Sequence, residues 1–87
     1  MSMLIRSQDK KSILNLDKVM QLCVVTPPFG TVERMIMANG AGVGTYSTEE
    51  KAIKVLDMIE DAYKDFRGGN IYEHSVFQMP QDEEVEV

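Results

Sequence analysis

GTYSTEEKAIKVLDMIEDAYKDFRGG, residues 44–69, is the stretch that decides the fold. Ser47 followed three positions later by Glu50 has the form of a capping box, and Gly68-Gly69 marks the other end. Between them Ala52, Val55, Leu56, Ile59, Ala62, Tyr63 and Phe66 recur at helical spacing. One face of a helix of about five turns is therefore apolar and expected to be buried. The chain on either side reads as extended. The stretch predicts one amphipathic helix at 47–67 laid across a β-sheet, and it predicts no chemistry, because the stripe holds no reactive group.

Working outward, residues 41–46 form a strand that runs into the helix. Asn39-Gly40 before it is a two-residue hairpin turn, since both positions tolerate positive φ. Residues 32–38 are the partner strand, with Val32, Arg34, Ile36 and Ala38 on one face and Glu33, Met35 and Met37 on the other. Residues 19–25, β-branched and apolar, are expected as a central strand. Thr26-Pro27-Pro28-Phe29-Gly30 must interrupt the sheet, because proline cannot donate to a ladder. Residues 3–6 and 12–16 read as shorter strands around a polar turn at 7–11, with a tight connection at Asp17-Lys18. After the helix, residues 71–79 look extended. The fold class is α+β: an antiparallel sheet of four to five strands, one helix and a C-terminal extended segment. A half-barrel capped by the helix, similar to pleckstrin-homology-like folds, is the specific architecture expected. Residues 1–80 make one domain, and 81–87 read as a disordered acidic tail.

Composition narrows the function. With 87 residues, 44% hydrophobic and 26% charged, the chain has ordinary globular proportions. Cys23 is the single cysteine, which excludes an internal disulfide framework and a cysteine-built zinc cluster. No run approaches the roughly 18 apolar residues of a membrane span, and no signal pattern opens the chain. A cytoplasmic protein without membrane contact is expected. Of the net charge of −5, the last seven residues contribute −4 through Asp82, Glu83, Glu84 and Glu86, leaving −1 for the other 80. A nucleic-acid binder needs a basic face. Arg6, Lys10, Lys11 and Lys18 are too few for one and read as a solvated hairpin edge.

Each candidate for chemistry has a plainer explanation. Gly40, Gly42 and Gly44 stand between strand and helix, as in a dinucleotide-binding turn. The third glycine comes too early for the helix N-terminus, so small hairpin residues fit better. Cys23 lies in an apolar strand and His74 in a polar segment, which suits a buried thiol and a solvated imidazole better than a nucleophilic pair. Glu49, Glu50, Asp57, Glu60 and Asp61 alternate with Lys51, Lys54 and Lys64, the pattern of a solvated helix face. Seven methionines suit core filling or an adaptable surface. No catalytic residue, metal site or cofactor site is expected. The candidate partner contact is Pro27, Pro28 and Phe29, an aromatic ring held rigid by two prolines.

Residues 4–10 (LIRSQDK), 44–59 (GTYSTEEKAIKVLDMI) and 77–80 (FQMP) together resemble a group of small uncharacterised proteins of Gram-positive bacteria and their phages or mobile elements. The resemblance implies a complete small protein whose residues 77–80 belong to the fold, and it implies no activity. The expected function is a non-enzymatic protein-interaction module with an unknown protein partner, open to homodimer formation through its sheet edges. The alternative is an acidic mimic that occupies the site of a nucleic-acid-binding protein.

Overall fold

The computed structural model describes residues 3–26, 33–67 and 75–87. Six strands and one helix follow in the order β1 (Met3–Arg6), β2 (Ile13–Asn15), β3 (Leu22–Val25), β4 (Arg34–Ala38), β5 (Ala41–Tyr46), α1 (Glu49–Arg67) and β6 (Ser75–Gln78). The class is α+β, as expected. The strands divide into two sheets of three, ordered β2-β1-β6 and β3-β4-β5, where a single sheet of four or five strands was expected.

The second sheet is an antiparallel meander. Its tight turn is Asn39-Gly40, with φ of 50° and 88°, as the Asn-Gly signature predicts. The register shifts between Ile36 and Met37, which face Gly44 and Gly42 respectively, so Val43 is the extra residue of a bulge. β4 is the central strand of this sheet, and β3, expected to be central, pairs only with β4 among the described residues. Its β-branched composition reflects side-chain packing, and composition of that kind does not fix strand order.

The first sheet contains the departure from antiparallel pairing. β1 and β2 form the expected antiparallel pair, but β6 runs parallel to β1, with Met3 opposite Ser75 and Arg6 opposite Gln78. A helix between the strands makes such a pairing possible, because it returns the chain to the same end of the sheet.

Ala52, Val55 and Ile59 of the helix meet Ile5, Ile36, Ala38, Val43, Tyr46 and Met79 in one buried cluster. Leu56, Ala62 and Tyr63, expected to be buried with them, are only half-buried. Gly44 is needed within this cluster. A Cβ there would stand 3.1 Å from the Tyr46 ring and hydroxyl and 3.3 Å from Met79 Cε.

The capping box expected at Ser47 and Glu50 is replaced by another arrangement. Thr48 is the cap: its hydroxyl accepts the Lys51 amide at 3.2 Å, and its carbonyl accepts the Ala52 amide. Ser47 is engaged elsewhere, donating its amide to Asp82 Oδ1 at 2.8 Å. Of residues 81–87, expected to be a disordered acidic tail, 81–85 pack against the body, whereas Glu86 and Val87 are exposed. The Lys51 ammonium donates to the Asp82 carbonyl at 3.0 Å and lies 3.5 Å from its carboxylate. Residues Asp82–Glu84 form a 3-10 turn, the Glu84 carboxylate accepts the Gln81 amide, and Val85 is buried in the core. A helix N-terminus attracts anionic groups, which is the physical reason that this acidic run docks.

Candidate interaction groove

At 19 residues α1 is about 28 Å long, whereas the four to six residues of β3, β4 and β5 span about 13–20 Å. The helix outruns its sheet. The chain between β2 and β3 stands opposite its second half and forms one wall of a groove.

Two asparagines shape that wall. Asn15 accepts the Asp17 amide at 2.9 Å and opens a 3-10 turn over Leu16–Lys18, closed by the Val19 amide on the Leu16 carbonyl. Asn39 comes from the β4–β5 turn, yet its side-chain oxygen accepts the amides of Met20 and Gln21 at 2.9 and 3.2 Å. Its Nδ2 donates to the Lys18 carbonyl, and its own amide donates to Gln21. One hairpin-turn residue thus holds the whole 18–21 connection in place.

The groove has a volume of about 510 Å³, within the roughly 300–1,000 Å³ usual for ligand clefts. Leu16, Asp17, Val19 and Leu22 line one side, and Leu56, Ile59, Glu60 and Tyr63 the other. The Tyr63 hydroxyl reaches across to 3.5 Å from Asp17 Oδ1. Glu60 pairs along its own helix with Lys64 at 3.5 Å, and both side chains are more than two-thirds exposed. The arrangement can bury apolar side chains and meet a positive charge.

A second, smaller cavity of about 240 Å³ is bordered by Ser7, Gln8, Asp9, Met35 and Gly42 to Thr45. Its polar groups are satisfied internally. The Ser7 hydroxyl and the Lys11 amide both donate to Asp9, holding its carboxyl below the usual range. Gln8 bonds both the amide and the carbonyl of Thr45 and also reaches the Pro80 carbonyl. The Tyr46 hydroxyl donates to that same carbonyl at 2.8 Å. Burial first, then the charges of Asp82 and Glu84, push the Tyr46 hydroxyl far above its ordinary range.

Pro27, Pro28 and Phe29 lie outside the described residues, as does His74. Cys23, expected to be buried, is half-buried and sits opposite Met37 on the face of its sheet that points away from Ile36. Met35 and Met37 share that face. Gly42 and Gly44 lie within β5, in a hairpin as expected and not at a helix N-terminus. Among the described residues no three His, Cys, Asp or Glu side chains group as a metal site, and no helix is long and apolar enough to cross a membrane.

The helix half of the groove was visible in the apolar stripe. Leu16, Val19 and Leu22 read as strand residues from their apolar character, so that character alone does not mark the other wall in the sequence. The available signal was Asn15-Leu16-Asp17, in which asparagine can cap a local turn. Comparison of the chain with family models, with curated proteins and with solved structures found no match.

Proposed function

We propose that this chain is a small non-enzymatic interaction module that takes a protein partner in the groove between residues 16–22 and the second half of α1. The observation behind this reading is the half-buried state of Leu56 and Tyr63, whose apolar surfaces line the groove together with Leu16, Val19 and Leu22. Grooves of this kind bind partners through a few apolar anchors. The likeness of residues 4–10, 44–59 and 77–80 to small proteins of Gram-positive bacteria and their mobile elements is part of the same reading, as are a cytoplasmic setting and a homodimer. So is a half-barrel arrangement. The Gln8 amide donates to Val43 at 2.8 Å, which supports continuity between the end of β1 and the edge of β5.

The acidic-mimic alternative has less support, because Asp82 and Glu84 are engaged in intramolecular hydrogen bonds. Glu83 and Glu86 remain exposed.

Short random peptides displayed on phage and selected against the intact protein test the module reading. Enriched peptides should bind the parent and fail on Leu56→Asp, with the helical circular-dichroism signal of the variant retained. Equal binding to both proteins would remove the groove as the interaction surface.

A further inference from the structure

Resting on that reading, we infer that the occupant of the groove is an apolar peptide segment bearing one lysine or arginine, whose cationic end sits between Asp17 and Glu60. The apolar floor comes from Leu16, Val19, Leu56 and Ile59, while the two polar groups with full charge on the lining are both carboxylates. They stand on opposite walls, one on the 3-10 turn and one on the helix, so a side chain lying along the groove passes both. Asp17 is exposed and oriented by the Asn15 side chain on its own amide. Glu60 has Lys64 as a partner, but that pair is exposed and worth little, so a cation delivered with apolar burial competes well. Lys18 and Lys64 are the nearest basic residues in sequence, and Asp57 and Asp61 flank Glu60 on the helix surface, leaving this lip net negative. Complementarity of this kind selects partners and orients them more than it adds affinity.

Four of the helix residues, Leu56, Ile59, Glu60 and Tyr63, span two turns, or about 10 Å. That length admits two or three side chains of a short linear segment and excludes a docked helix of ordinary length.

The selected peptides serve as probes. Each is resynthesised with its basic residue replaced by norleucine, and binding to the full chain is followed by the resonances of Leu56, Ile59 and Tyr63. Lysine or arginine should be enriched in the selection. Its removal should weaken binding about two- to fivefold, as should Asp17→Asn or Glu60→Gln. The losses should be non-additive when peptide and protein are changed together, and raised salt should shrink them. Peptides that fill the groove equally well with norleucine overturn the charge assignment and leave the module reading standing. Peptides that move no groove resonance overturn the module reading itself. Groove resonances that shift with protein concentration alone identify a second copy as the occupant and overturn the inference.

Discussion

Gly42 and Gly44 lie two positions apart in one strand and answer substitution differently. A Cβ on Gly44 would meet the Tyr46 ring at 3.1 Å, packed in the core with nowhere to retreat. A Cβ on Gly42 would meet the Met35 sulfur at 3.0 Å, but that sulfur is the end of a flexible side chain on a half-exposed face. Gly44→Ala should therefore cost about 1–3 kcal/mol and Gly42→Ala markedly less, as read from chemical denaturation. Equal losses would mean that the Tyr46 ring can move aside. Asn39 allows a separate test. Glycine at that position keeps the positive φ of the turn, so Asn39→Gly should preserve the hairpin while removing the side-chain bonds to Met20 and Gln21. The amides of Met20 and Gln21 should lose hydrogen-exchange protection while those of β4 keep theirs.

At the scale of elements, the N-terminus of α1 depends on a carboxylate supplied from more than thirty residues away in sequence. The Ser47 amide foremost, then the Ser47 hydroxyl and Lys51, hold the Asp82 carboxyl below its ordinary range. Its folded pKa thus lies below the unfolded value of about 3.9, so the stabilisation is complete above that value and is lost as pH falls through the folded pKa. Urea unfolding across the acid range should show the parent losing stability below about pH 4. Asp82→Asn should be less stable at neutral pH and flatter in acid, while Asp9 goes on contributing a slope in the same direction. An unchanged acid slope in Asp82→Asn would disconnect the tail from the helix end. The helix and the Asn39-Gly40 hairpin were legible in the sequence because their signals are local: a 3.6-residue period and a turn dipeptide. The docking of 81–85 was not, because a run of acids after Pro80 looks solvated until a helix N-terminus is placed beside it. Val85, an apolar residue within that run, was the trace it left. Tertiary contacts also hid half of the groove, since Leu16, Val19 and Leu22 become a wall only when Asn39 reaches them.

Across the whole molecule, Gln8 joins the two sheets, between which no strand ladder runs among the described residues. Its backbone bonds Val43 and Gln81, and its side chain bonds Thr45 and Pro80, so one residue ties β1, β5 and the C-terminal segment together. The division into two sheets escaped sequence reading for the same reason, because nothing local marks a glutamine as a closure between them. Gln8→Ala leaves the Thr45 amide and carbonyl without this partner and should cost about 1–3 kcal/mol by denaturant titration. A loss of a few tenths would show that the sheets hold together without it. The parallel pairing of β6 with β1 bears on how the molecule is made. Met3 lies across from Ser75, and Met79 and Val85 complete the core. A nascent chain leaving the ribosome can form the 39–40 hairpin and lay α1 over it, but it cannot seal that core until residues near 85 have emerged. The longest-range contacts are thus made last, which slows folding and leaves interrupted translation products with an open apolar interior for proteases to recognise.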